Sequence, residues 1–246
     1  MKTEKDFFFF LKTIENIAKE EGFESLDETY KEHLRARFLG EDVVIGKKER
    51  ILLREMKMSD LEMFYRFADA GNEPVLQAFI KETYAESVSH LKAYIENMYP
   101  MYDYGIWAVE RIENGEVIGL CGLGQAEVKG EFCTDLGYYI CPKWRKRGFA
   151  YESIEIVLDY VKNYLEFPYI YAIIKEENRI SKGILRKFGF EYKGLCEKPD
   201  GNIAVYQKDF TEDNKEQQCV KQKSFVLQTT KVEAENQPHV LMWHTD

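Results

Sequence analysis

DLGYYICPKWRKRGFAYESI, Asp135 to Ile154, is the stretch that decides the fold. Asp135 to Ile140 is rich in aromatic and β-branched residues and reads as a strand. Cys141-Pro142 ends it, because proline cannot donate to a ladder. Lys143, Arg145, Lys146 and Arg147 follow, and then Gly148-Phe149-Ala150. From Phe149 onward the apolar residues fall at Ile154, Val157, Leu158, Val161 and Leu165, which is helical spacing. A strand that enters a basic, glycine-containing turn and leaves it as a helix builds an anion site. The helix start has unpaired N–H groups and the positive end of its dipole. The chain as a whole carries a net charge of −9, so a basic cluster stands out in it. Neither G-x-G-x-x-G nor G-x-x-x-x-G-K-[ST] is present, and this sets aside a dinucleotide fingerprint and a P-loop.

Outward from this turn, the pattern continues on both sides. Tyr169 to Ile174 is an apolar strand, followed by Asn178, Ser181 and a helix that ends in KFGFEYKG, Lys187 to Gly194. RKRGFA, Arg145 to Ala150, matches the [QR]-x-x-G-x-[GA] signature of the GNAT acyltransferases. DLGYYI resembles the fourth strand of their RimJ/RimL-like branch, and Asn178 to Phe190 resembles that branch's N-x-x-S-x-x-x-L-x-K-x-G-F segment. The resemblance runs from about Arg50 to Phe210. It implies an α/β fold (an α+β mixed sheet), the GNAT acyl-CoA N-acyltransferase architecture, and acetyl-CoA as cosubstrate.

The resemblance also implies roles. Backbone N–H groups of Arg147, Gly148, Phe149 and Ala150 would hold the pyrophosphate. Arg145 and Lys146, with Lys143, would add charge or simply face water. The pantetheine would lie beside the backbone of Tyr138, Tyr139 and Ile140, and an N–H there, with Tyr139 the candidate, would polarise the thioester. Asn178 would bond the pantetheine, cap its helix, or do both. Ser181 would protonate the leaving thiolate or be an ordinary first-turn serine. Leu185 stands where many GNAT enzymes carry a tyrosine acid. Asp135 and Glu127 are the carboxylate candidates for taking the amine's proton. The expected activity is acetyl transfer to a primary amine, a small cationic amine or a peptide N-terminus, by direct attack in a ternary complex. The alternative is a non-catalytic acyl-CoA-binding or interaction module on the same fold.

Composition bounds the rest. No run of 18 apolar residues occurs, so no membrane span is expected. The five cysteines are scattered without C-x-x-C spacing, which points to a reducing, cytoplasmic setting and to no metal site. The acidic balance disfavours nucleic acid and suits cationic partners.

Residues 1–46 read as a helical N-terminal extension. Phe7, Phe10, Leu11, Ile14, Ile17 and Ala18 form one stripe. Leu26, Tyr30, Leu34 and Phe38 form a second behind a Ser25–Glu28 capping box. These stripes need cover, from the catalytic unit or from a homodimer. Residues 47–210 read as the acetyltransferase domain, with a first strand at Arg50 to Glu55 and a capping box at Ser59–Glu62. Residues 211–246 read as a polar, partly disordered C-terminal tail.

Overall fold

The computed structural model describes residues 2–68, 74–128, 130–196 and 201–210. The C-terminal tail read from the sequence, residues 211–246, lies outside the described residues, as do residues 69–73, 129 and 197–200.

Among the described residues, eight strands form one mixed sheet in the order β1-β2-β3-β4-β5-β6-β8-β7. They are β1 (Val44–Lys47), β2 (Ile51–Arg54), β3 (Ile106–Arg111), β4 (Val117–Val128), β5 (Glu131–Ile140), β6 (Tyr169–Lys175), β7 (Glu191–Cys196) and β8 (Ile203–Asp209). Only β5 and β6 are parallel; the other neighbours are antiparallel. Helices α1 (Glu4–Glu20) and α2 (Glu28–Leu39) precede the sheet. After β2 come α3 (Leu61–Ala68), α4 (Pro74–Gln77) and α5 (Tyr84–Tyr102). Then α6 (Phe149–Tyr160) follows β5, and α7 (Arg179–Lys187) follows β6.

Side chains alternate across a strand, and this sorts the two faces of β5. Gly137 and Tyr139 face α3 and α4: a Cβ at Gly137 would meet Val75, and the Tyr139 ring lies 5.6 Å from that of Phe67. Asp135 shares that face. Tyr138 points the other way, to α6 and α7. Trp107, Tyr99, Phe64 and Phe79 are fully buried between these layers. Each such burial contributes roughly 1.5–3 kcal/mol. Two buried tyrosines of α5 pin the start of β3. Tyr94 accepts from the Ile106 N–H at 2.7 Å, and Tyr99 donates to the Ile106 carbonyl at 2.5 Å.

Several local expectations are corrected. The sheet begins at Val44, not Arg50. β1 is short and half-exposed, so its pattern hid it, and Gly46 leaves room for Ile156 of α6, whose Cγ2 would stand 2.7 Å from an added Cβ. The α2 cap is Asp27, which accepts from Thr29 and Tyr30 N–H, and not Ser25. Leu26 is buried against Ala18 and Tyr30, and this leaves Asp27 at the helix entrance. The Ser59 box is replaced by Asp60, which accepts from the Lys57 N–H at 2.7 Å and receives the buried Arg54 guanidinium at 2.8 and 3.0 Å. A buried cation needs that carboxylate more than a helix end needs a serine. Helix α6 stops at Tyr160 and a π-helical turn carries the chain from Val161 to Leu165.

The extension packs on its own chain. From α2, His33 Nδ1 meets Asp103 at 3.0 Å, and Arg37 donates to Asp103 and Glu55, each at 2.5 Å. Tyr160 donates to the Asp103 carbonyl at 2.7 Å, and Tyr164 donates to its carboxylate. Among the described residues no helix is long and apolar enough to cross a membrane.

Candidate active site

The central geometric fact is a gap. Strands β5 and β6 share a single registered pair, Asp135 with Tyr171. β4 stays paired with β5 up to Ile140, and β8 stays paired with β6 up to Lys175. Beyond Asp135, therefore, the two central strands part and each exposes one unpaired edge to the other. The Cys141 N–H donates to Ile118 of β4 at 2.8 Å. Antiparallel alternation then sends the Tyr139 N–H to β4 as well, and turns those of Tyr138 and Ile140 into the gap. Tyr139 thus has no backbone donor there, and the expectation that its N–H faces the thioester is corrected. Its side chain is buried on the α3 face, where its hydroxyl donates to the Phe67 carbonyl at 3.4 Å.

At its open end the gap meets the basic turn. Lys146 (φ 62°) and Gly148 (φ 86°) are both left-handed, which curls successive N–H groups toward one point. The first backbone bond of α6 runs from Glu152 to Gly148, so the N–H groups of Phe149 and Ala150 precede the helix ladder. The four cations are not equivalent. Lys143 is paired with Glu116 at 2.6 Å. Arg145 donates to the Ile140 carbonyl at 2.8 Å and lies over the Tyr139 ring, which fastens the turn to the end of β5. Arg147 stacks on Trp144 with its Cζ 4.8 Å from the ring centre, and Lys146 is exposed. Neither of these two has a carboxylate partner among the described residues.

One residue of this turn was not legible in the sequence. Arg50 immediately precedes β2, donates to the Arg147 carbonyl at 3.0 Å, pairs with Glu152 and lies over the Phe149 ring at 4.6 Å. No local signal marks it, because 97 residues separate Arg50 from Arg147.

Across the gap, Asn178 caps α7 and its Oδ1 accepts from the Ser181 N–H at 3.0 Å. Ser181 is buried, and its hydroxyl lies beside the phenol of Tyr138. Burial pushes that phenol up to about 12 against the Ser181 contact, and its oxygen has no partner at hydrogen-bonding geometry. Asp135 is the other unusual group. Burial pushes its carboxyl up to about 7, and Oδ1 has no partner. Glu127, the alternative carboxylate, is exposed near the end of β4.

A cavity of about 610 Å³ opens on the Asp135 face, lined by β4 to β8 and the Phe167–Pro168 loop, with no residue from any helix. Cys133 and Tyr171, the same-face neighbours of Asp135, are in its wall. The cavity wall therefore reaches the strand positions next to Asp135, while Asp135 itself is buried behind it.

A family profile described as an acetyltransferase (GNAT) domain matches residues 50–191. The chain belongs to the GNAT acetyltransferase family. It is similar to the uncharacterized N-acetyltransferase YoaA of Bacillus subtilis, 30% identical over 154 residues, with 61% of this chain and 85% of that protein covered. It is also similar to the uncharacterized protein YkkB of the same organism, 28% identical over 107 residues. There the match covers 44% of this chain and only 62% of the relative. Among solved structures, the fold resembles RimL, a ribosomal L7/L12 α-N-protein acetyltransferase, in complex with coenzyme A. The TM-score is 0.55 and the identity 12%, over 68% of this chain and 97% of that one.

Proposed function

We propose that this GNAT protein is an N-acetyltransferase that moves the acetyl group of acetyl-CoA to a primary amine within a ternary complex. The parting of β5 and β6 at Asp135, with the left-handed turn at its open end, carries this reading. When bound, acetyl-CoA supplies an acetyl thioester whose C–S bond breaks as the amine N–C bond forms, with coenzyme A leaving as the thiolate.

The chain's own residues would do the rest. N–H groups of the 147–150 turn hold the pyrophosphate, helped by the uncompensated Lys146 and Arg147. The N–H groups of Tyr138 and Ile140 line the unpaired edge and bond the extended arm. One of them stabilises developing charge on the carbonyl oxygen, an interaction typically worth about 3 kcal/mol. Asp135 takes the proton of the incoming amine. A group ionising near neutrality suits that task, and burial is what places it there. The Ser181 and Tyr138 hydroxyls supply the proton for the thiolate. A covalent acyl-cysteine is disfavoured: burial pushes the Cys133 thiol up to about 11, and Cys121 is fully buried.

Calorimetric titration with acetyl-CoA, followed by thioester turnover on a panel of amines, tests the reading. Binding with turnover supports it. Tight binding without turnover on any amine favours the non-catalytic acyl-CoA-binding alternative. Gly148→Glu is expected to abolish cofactor binding at millimolar ligand. Its carboxylate would repel the pyrophosphate, while the positive φ costs the fold only about 1–2 kcal/mol. Unchanged affinity in a folded Gly148→Glu protein would place the phosphates elsewhere.

A further inference from the structure

The 610 Å³ cavity has a distinctive wall. Tyr169 and Tyr171 stand two residues apart on one face of β6, with ring centres 5.6 Å apart at 76°. Phe167 continues this wall and is itself held edge-on by Tyr104 at 5.5 Å. Val128, Leu195 and Val205 add apolar surface. Its charged lining residues are Glu131 and Lys193, and Asp209 lies close enough to act on Tyr171. Burial and then Tyr169, Cys133, Glu131 and Asp209 push the Tyr171 phenol up. The cation in the lining, Lys193, is paired with Glu191 at 3.0 Å. The lining thus offers aromatic faces and the Glu131 carboxylate, and it includes Cys133 and Tyr171, the strand neighbours of Asp135, where the gap begins.

An amine reaches such a site as an ammonium ion. Aromatic faces and carboxylates both attract a cation, and the attraction grows as water is excluded. A long hydrophilic polyamine would leave the four aromatic rings (Phe132, Phe167, Tyr169 and Tyr171) and three aliphatic side chains of the lining covered by nothing of matching chemistry. A flat apolar group fills that space and stacks offset or edge-on against tyrosine and phenylalanine. The volume falls within the range of small-molecule sites.

We infer that this cavity is the acceptor site, and that the acceptor is a small primary amine carried on an aromatic or similarly flat apolar group. The inference rests on the acetyl-transfer reading above and names its substrate class. Tyr171 and Tyr169 act as specificity-determining residues, and Glu131 with Asp209 draws the ammonium inward.

The test compares phenethylamine and tryptamine with spermidine, glucosamine and a short peptide, by kcat/KM at saturating acetyl-CoA. The aryl amines are expected to exceed the others by tenfold or more. Tyr171→Ala is expected to lower kcat/KM for the aryl amines at least tenfold, with KM for acetyl-CoA within twofold of wild type. Tyr169→Ala serves the same purpose if that variant fails to fold. Calorimetry of tryptamine against the CoA-loaded protein gives a readout independent of turnover. A preference for spermidine, glucosamine or the peptide, or no tryptamine binding to the loaded protein, overturns the inference and leaves the acetyl-transfer reading intact. Failure to bind acetyl-CoA at all overturns both.

Discussion

Asp135→Asn will cut kcat/KM by about 10²–10⁴-fold, the usual worth of a positioned general base. It will at the same time stabilise the protein at pH 8. Both effects follow from one cause. The carboxyl is buried with an unpartnered Oδ1, and its folded pKa is about 7 against an ordinary 3.8. The unfolded chain ionises this group from about pH 4, while the folded chain resists until about pH 7. Stability is therefore lost as pH rises through that window, by up to about 4 kcal/mol above pH 7. Asparagine removes the term, so the variant should gain on wild type between pH 4 and 7 and keep that gain above it. With Asp135 as the proposed base, the carboxylate form is the active one, so wild-type kcat/KM should fall about tenfold per pH unit below 7. Urea melts at pH 4 and pH 8, with a pH–rate profile, check both limbs. If the variant turns over normally, the base lies elsewhere. If its melts show no pH-dependent gain, the burial argument is wrong.

The second large effect lies far from the turn. Arg37→Ala is expected to destabilise the fold by about 3–5 kcal/mol, because it strands two carboxylates in the interior. Asp103 and Glu55 expose only 7% and 10% of their side chains, and Arg37 bridges them. Burial alone would raise Asp103; the His33 bond and the Arg37 charge overcome it and hold the carboxyl down at about 2. A depressed carboxyl contributes stability above its unfolded pKa and loses it as pH falls toward the folded one. That contribution is about 2 kcal/mol, and acid should erase it between about pH 4 and pH 2. Lys57→Ala breaks an exposed pair with Asp42 and should cost under about 1 kcal/mol. Denaturant melts of the two variants provide the contrast. Equal, small losses would mean that the α2 contact is not a buried ion cluster.

Taken alone, the residues around Gly148 determine a good deal. Strand, turn and helix from Asp135 to Tyr160 are local matters. Alternation and helical spacing encode them, and glycine is the residue that meets a φ of 86°. The α1–α2 pair is encoded in the same way, within a few residues of chain. Boundaries that failed did so where a distant partner intervened. Asp60 was claimed by Arg54, Leu26 by Ala18, and β1 was held by pairing rather than by its own propensity.

The tertiary structure decided what no local window contains. It parted β5 from β6 and set the edge toward which each N–H turns, sending that of Tyr139 to β4 and those of Tyr138 and Ile140 into the gap. It set Tyr138 beside Ser181 across that gap. It brought Arg50 to the Arg147 carbonyl, and His33 and Arg37 to Asp103. Asp135 was one of several acids in the chain. Its ionisation near neutrality comes from burial within the sheet, and burial is a property of the packed sheet, not of the residue.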